Sequence, residues 1–148
     1  MPRGNARRAA QVPGPRISGT ETLNGEVLAD DVVLEASVLR RPIEGRNHVI
    51  LVMETATETY ESLVFTHKAS DGRHSYLEWE GTAFGGMALN GVTTLTRNDD
   101  GRIVHAAIHY RPLGATLRFS EELRDRLEGL LDSTYFYNPY YRVPNGWD

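Results

Sequence analysis

A chain of 148 residues with 40% hydrophobic and 24% charged residues has the size and balance of one globular domain with one core. Its net charge of −4 gives no reason to expect nucleic acid binding, and no apolar run approaches the ~18 residues that a membrane-spanning helix needs. The absence of cysteine excludes disulfides, thiolate nucleophiles and cysteine-ligated metals, and favours a cytoplasmic location.

The composition divides the chain into three parts. Residues 1–22 are rich in Arg, Pro and Gly and lack the apolar stretch of a secretory signal, which predicts a flexible basic leader. Residues 23–132 carry the strand and helix patterns of a single domain. Residues 133–148 form an aromatic segment, and because Tyr and Trp are enriched at interfaces, we expect it to pack on the domain or on a second subunit.

The first half of the domain reads as two strands around one helix. The β-branched run at residues 32–35 predicts a strand. Apolar residues at helical spacing predict a helix over residues 48–60, with Asn47 as its N-cap. A second strand is expected over residues 61–68, and the glycine-containing loop 69–73 then forms a hairpin.

Three further strand patterns, at residues 75–84, 87–97 and 102–111, are the most informative part of the chain. The Gly85–Gly86 pair between the first two indicates the bend of a strongly curved sheet. A helix capped by Ser120 and carrying a leucine stripe is expected to follow. This order predicts an α+β cone of the cystatin-like type, in which a curved antiparallel sheet wraps around a helix and leaves a pocket between them.

Four short motifs resemble those of nuclear transport factor 2-like proteins, a superfamily that includes SnoaL-like polyketide cyclases, ketosteroid isomerases and limonene epoxide hydrolases. They are residues 28–35 (LADDVVLE), 43–46 (IEGR), 100–104 (DGRIV) and 110–113 (YRPL). The resemblance spans residues 28–131 and implies a cone that holds a small apolar ligand. The helices that normally close the mouth of the cone have no counterpart in the leader, so either this lid is missing or the aromatic tail or a partner chain replaces it.

The resemblance also shows where relatives place their catalytic acids. The general-base Asp of the isomerases falls on Ala36, and their oxyanion-hole Asp falls on Thr93. A methyl group cannot abstract a proton, so the isomerase mechanism is not expected. The Asp–Arg–Asp set of the epoxide hydrolases falls on residues that do not reproduce it: Glu78, Glu80, and Ile108 or His109.

The candidate acid–base groups are Glu78, Glu80 and His67. The two glutamates bracket Trp79 and share one face of a strand, roughly 6.5–7 Å apart. If that face lines the pocket, each raises the pKa of the other and one acts as a general acid or base. The alternative is that Leu77 and Trp79 face the core and both glutamates face water. His67 ends a strand, where it either points into the cavity as a base or lies at the surface.

Ligand contacts are expected from four residues of the meander: Tyr110, Trp79, Thr93 and Ile108. The Tyr110 hydroxyl is the predicted donor that orients a substrate. A metal site is not expected, because His105 and His109 lie roughly 13 Å apart along a strand. We therefore predict a SnoaL-like cyclase, isomerase or hydrolase without a cofactor, acting on an apolar ligand by acid–base catalysis. The alternative is a non-catalytic ligand-binding or dimerisation module, and a homodimer through the open sheet face is expected.

Overall fold

The computed structural model describes residues 27–138, and the structural statements below concern that range. Its strands are β1 (Leu28–Ala36), β2 (Ile43–Glu44), β3 (Ser62–Asp71), β4 (His74–Ala83), β5 (Met87–Arg97) and β6 (Ile103–Arg111). Its helices are α1 (Arg46–Thr59) and α2 (Leu113–Arg126), followed by a 3-10 turn at Ser133–Tyr135. The predicted leader, and residues 139–148 of the predicted tail, lie outside the described range. No helix among residues 27–138 has both the length and the apolar character needed to cross a membrane.

The six strands form one sheet in the order β2-β1-β6-β5-β4-β3. Strands β3 to β6 make the predicted antiparallel meander, and β2 pairs antiparallel with β1. β1, however, lies parallel to β6, so the sheet is mixed rather than wholly antiparallel. No local pattern indicates this pairing, because it joins segments about seventy residues apart. The α+β cone is confirmed.

Strand alternation decides which side of the sheet is buried. Along β4 and β5 every second residue is buried, and the intervening residues are exposed or half-buried. Both helices pack on the concave side, where α1 buries Val49 and Val52 and α2 buries Phe119 and Leu123. The concave side therefore carries the core, and the convex side carries most of the polar residues.

The start of α1 differs from the prediction. The helix begins at Arg46, directly after Gly45, and no side chain caps it. Gly45 has φ 95°, in the region that favours glycine, and it takes the N-cap position two residues before Asn47. Asn47 is the second residue of the helix rather than its N-cap.

The prediction that Ser120 caps the last helix is wrong. α2 begins at Leu113, which leaves Ser120 in the middle of the helix and fully buried. Its hydroxyl donates to the carbonyl oxygen of Val38 at 2.6 Å and accepts from the backbone N–H of Tyr137 at 2.8 Å. Ser120 thus links the loop after β1 to the C-terminal segment, and neither neighbour is close to it in the sequence.

The last described residues, 132–138, form a strap across the loop after β1. Phe136 is buried and pairs with Leu39, and the backbone N–H of Arg40 donates to the carbonyl oxygen of Tyr135 at 2.8 Å. This part of the predicted tail therefore contacts the domain. Contact with a second subunit stays a prediction, and the tail residues Tyr140, Tyr141 and Trp147 lie outside the described range.

Candidate ligand-binding site

A cavity of about 50 Å³ lies between α1 and the concave side of the sheet. It is called the cone cavity below. Its wall combines the C-terminal half of α1 with inward-facing residues of β3 to β6, and it includes all four predicted ligand contacts: Trp79, Thr93, Ile108 and Tyr110. One water molecule occupies about 30 Å³ of liquid, so the cavity has room for one or two waters in this conformation.

Aromatic rings form one wall of the cone cavity. Tyr60 directly follows α1, and its ring meets Trp79 edge-on with centroids 5.8 Å apart. Trp79 also meets Tyr110 edge-on at 5.3 Å, and Phe119 of α2 lies behind both tyrosines at 4.8 and 5.7 Å. Edge-to-face packing of this kind holds each ring against its neighbours, so the wall is preformed.

Two glycines make room for these rings. Gly91 lies between Trp79 on β4 and Tyr110 on β6 in the strand register, and the two rings meet above it. A Cβ atom on Gly91 would lie 2.5 Å from Cζ2 of Trp79 and would overlap the carbonyl oxygen of His109. Gly81 plays the same part for Tyr60, because a Cβ there would lie 3.1 Å from the ring. Glycine inside a strand often marks such a close approach, and this signal was available in the sequence.

The phenols of Tyr60 and Tyr110 are half-buried and neutral. Burial raises the pKa of Tyr110 to about 12, and a hydrogen bond with Tyr60 partly offsets that rise. Burial also raises the pKa of Tyr60 well above its ordinary value, with the nearby Tyr110 adding to the effect. Both hydroxyls therefore keep their protons at neutral pH. Because Tyr60 donates to Tyr110, the hydroxyl of Tyr110 is the one that keeps its proton for a ligand. Tyr110 is a ligand contact predicted from the sequence, whereas Tyr60 is not, and the end of α1 brings Tyr60 to Tyr110.

The remaining polar groups of the cone cavity are also neutral. The indole N–H of Trp79 donates to Oγ1 of Thr93 at 3.1 Å, which leaves the proton of the Thr93 hydroxyl available to another acceptor. The hydroxyl of Thr57 donates to the carbonyl oxygen of Met53 within α1. Among the described residues that line the cavity, none is Asp, Glu or His.

The predicted acid–base groups lie on the other side of the sheet. Leu77 and Trp79 point inward, so Glu78 and Glu80 of the same strand point to the convex side and are exposed. Glu78 pairs with Nδ1 of His67 at 3.0 Å, and both side chains are more than half exposed. Of the two orientations that the sequence left open for these three residues, the structure has the one in which they face water. The large apolar surfaces of Leu77 and Trp79 gain more from burial than two carboxylates, which would lose their hydration.

The other positions singled out in the sequence do not complete a catalytic set. Ala36, where isomerases place a base, lies at the end of β1 and lines a separate groove together with His109. His105 pairs with Glu35 on the convex side, at 3.3 Å. Within residues 27–138, no three His, Asp or Glu side chains come close enough to hold a metal ion.

Solved structures with the same fold give the class of the protein, whereas no protein-family model and no curated protein sequence matches the chain. A steroid delta-isomerase from Pseudomonas aeruginosa is 25% identical with a TM-score of 0.67, covering 74% of this chain and 83% of its own. A bacterial protein with a cystatin-like fold from Silicibacter pomeroyi is 21% identical with a TM-score of 0.70, covering 82% and 92%. A SnoaL-like family protein from Agrobacterium tumefaciens is 14% identical with a TM-score of 0.50, covering 66% and 98%.

These likenesses confirm the predicted superfamily. The chain has the nuclear transport factor 2-like fold of the SnoaL-like and ketosteroid isomerase-like proteins.

Proposed function

We propose that this protein binds a small, largely apolar molecule that carries a carbonyl or similar acceptor, and that it does so without acid–base turnover. The observation that supports the proposal is the set of polar groups in the cone cavity. The hydroxyls of Tyr110 and Thr93 are neutral donors within an otherwise apolar and aromatic wall, and Tyr60 donates to Tyr110. The non-catalytic binding module is therefore favoured over the SnoaL-like enzyme.

The donors favour a neutral ligand over a charged one. A carbonyl oxygen can accept from Tyr110 and from Thr93, while the apolar body of the ligand is buried against Trp79. An anionic ligand would lose its hydration on entering and needs a cation to compensate. No Lys or Arg is among the described residues that line the cavity.

No Asp, Glu or His among residues 27–138 lines the cone cavity, and this argues against isomerase chemistry. A general base must lie within hydrogen-bond reach of the proton that it removes. Glu78, Glu80 and His67 are exposed on the convex side of the sheet, so the sheet itself separates them from a ligand in the cavity. A role for them in catalysis stays a prediction that the geometry does not support.

The size of the cavity limits what enters it. Ligand pockets for drug-sized molecules measure about 300–1,000 Å³, several times the about 50 Å³ found here. In this conformation only the acceptor end of a ligand fits between α1 and the sheet. A larger body requires Met53 and Thr57 of α1 to separate from Leu63 and Phe65 on the edge strand β3.

A ligand series with one ring and different polar groups tests the proposal. Cyclohexanone is expected to shift the indole N–H resonance of Trp79 in NMR titrations, and cyclohexanecarboxylate to bind more weakly. Trp147→Phe in the background removes the second indole signal. Tyr110→Phe is expected to weaken ketone binding about fivefold to tenfold, since one hydrogen bond is lost.

Tyr76 supplies the matched control. It lies on the same sheet but points to the convex side and is 40% exposed, so Tyr76→Phe is expected to leave ketone binding unchanged. Equal affinities of the ketone and the carboxylate at the Trp79 indole resonance, or an unchanged ketone affinity in Tyr110→Phe, would contradict the proposal.

The likeness to a steroid delta-isomerase keeps the enzyme as a second candidate. Incubation with a Δ5-3-ketosteroid, followed by the absorbance of the conjugated enone, measures isomerase turnover directly. We expect none above the buffer rate. Turnover that is lost in Glu80→Gln would instead support the acid–base enzyme, and turnover that persists in that variant would remove Glu80 from the candidates.

A homodimer through the convex sheet face is a further proposal. Val64 and Tyr76 expose apolar surface there, at 55% and 40% of their areas. Burial of such surface favours association. Light scattering of the purified protein should give twice the chain mass, and the double change Val64→Lys and Tyr76→Lys should return it to the mass of one chain. A single-chain mass for the unaltered protein at high concentration would contradict the dimer.

A further inference from the structure

A second concave surface lies at the end of the parallel strand pair. Its volume is about 320 Å³, within the range of small-molecule sites and larger than the cone cavity. It is bordered by the end of β1, the loop over residues 37–42 and the last residues of β6. It is called the β1–β6 groove below, and its lining includes Ala107 and His109, which point to the convex side of the sheet.

The described residues of the β1–β6 groove separate into an apolar floor and a basic rim. The floor includes Leu39, Pro42 and Ala107, and the rim includes Arg40 and Arg41. We propose that this groove binds a small organic anion, a carboxylate or phosphate monoester with a short apolar body. A guanidinium matches both head groups through paired N–H donors, and an apolar floor favours a ligand with a hydrocarbon body over a free inorganic anion.

Arg41 is held in place before any ligand arrives. Its guanidinium lies over the ring of Tyr135, 3.7 Å from the centroid, and its Nη2 donates to Oγ1 of Thr134 at 2.9 Å. The side chain nevertheless remains 47% exposed. Both the hydrogen bond and the ion pair of Arg41 use Nη2, which leaves the donors on Nε and Nη1 for a ligand. A cation fixed by the strap loses little freedom when it binds.

Two carboxylates near the groove, Asp132 and Glu35, repel an anionic ligand and so affect where its head group lies. Asp132 lies 3.7 Å from Nη2 of Arg41 and is exposed, a loose pair of the kind that contributes little. It also accepts two hydrogen bonds from Thr134 within the strap. Glu35, at the opposite border, has its Oε2 3.3 Å from Nε2 of His105. The head group is therefore expected at the loop beside Arg41, with the apolar body over Ala107.

Titration of amide resonances with four probes tests this site. Benzoate and phenyl phosphate combine a negative charge with an apolar body, as the proposal requires. Benzamide has the apolar body without the charge, and inorganic phosphate has the charge without the apolar body. We expect either or both anions to shift the amides of residues 37–42 and 107–109, with benzamide and inorganic phosphate at least about tenfold weaker. Their relative affinity distinguishes a carboxylate from a phosphate ligand. Benzamide binding as tightly as benzoate, or shifts that avoid these residues, would overturn the proposal.

Two variants and one control complete the test. Arg41→Gln should weaken anion binding about tenfold, whereas Arg73→Gln removes an exposed arginine that pairs with Asp99 elsewhere and should change nothing. Ala107→Leu fills the floor of the groove without altering the strap. If Arg41→Gln fails to fold, this variant tests whether the anion binds in the groove. Anion binding that survives in Ala107→Leu at full affinity would refute the groove. Binding in the cone cavity is followed at the indole resonance of Trp79 and binding in the groove at the amides of residues 37–42 and 107–109, so failure of one site is distinguishable from failure of the other.

Discussion

Replacement of Gly91 by alanine tests how the aromatic wall is built. The glycine lies on the concave side of β5, where the rings of Trp79 and Tyr110 meet above it. An alanine Cβ would lie 2.5 Å from Cζ2 and 2.9 Å from Cε2 of Trp79, and would also overlap the His109 carbonyl oxygen. Real Cβ atoms do not approach that closely, so both the indole and the β6 backbone must shift.

Two effects set the size of the loss. Overpacking of a well-packed core costs about 1–3 kcal/mol, because side chains and backbone are displaced. A displaced indole also loses its hydrogen bond to Thr93, worth about 1 kcal/mol. We therefore expect Gly91→Ala to lower the free energy of unfolding by about 2–4 kcal/mol.

Urea denaturation gives this free energy, and near-ultraviolet circular dichroism reports the surroundings of Trp79. Gly114→Ala is the matched control, because Gly114 lies in α2 and an added Cβ would meet no atom within 4 Å. It should leave stability unchanged or raise it by up to about 1 kcal/mol through helix propensity. A Gly91→Ala protein within about 0.5 kcal/mol of the unaltered one, with the same aromatic dichroism, would refute this account of the wall.

Two other buried polar groups give predictions about stability. Because the pKa of Tyr110 is near 10 when unfolded and about 12 when folded, its contribution to stability is complete below pH 10 and is lost as pH rises to 12, by about 2–3 kcal/mol. Urea denaturation from pH 9 to 12 should show this fall and a smaller one in Tyr110→Phe; equal slopes would contradict it. Ser120→Ala leaves the Val38 carbonyl and the Tyr137 N–H without their partner and should cost about 1–3 kcal/mol, whereas exposed Ser62→Ala should cost under about 0.5 kcal/mol. Similar losses in the two serine variants would show that Ser120 is not a buried link.

The meander was predictable because strand alternation is a local property. The predicted bounds of β5 agree with the structure at both ends, and its odd-numbered positions from Leu89 to Leu95 are buried, whereas Met87 is exposed. The two-residue period also placed Glu78 and Glu80 on one face and Trp79 on the other. Which face is buried depends on the helices that cover it, so that choice remained open until the fold was known.

The errors fall where distant segments meet. Ser120 resembles an N-cap in the sequence, yet Val38 and Tyr137 approach it and make it a buried link inside α2. In the sequence, Tyr60 has the pattern of the last residue of an amphipathic helix. Its contact with Tyr110 arises because α1 ends on the concave side of the sheet, where the side chain of Tyr110 on β6 points. Such contacts carry no local signal, because the segments that meet are far apart in the chain.

The sequence by itself determined the strands of the meander, the curvature of the sheet and the superfamily, because periodicity and short motifs depend on residues that are close together in the chain. Only the tertiary structure decided what the pocket contains. The sheet must bury its larger apolar surface, and this turns Trp79 inward and Glu78 and Glu80 outward. The same packing brings two phenols together and raises the pKa of each by burial. The sequence suggested an acid–base site, but because this packing turns the carboxylates outward, the cavity is lined by neutral hydrogen-bond donors.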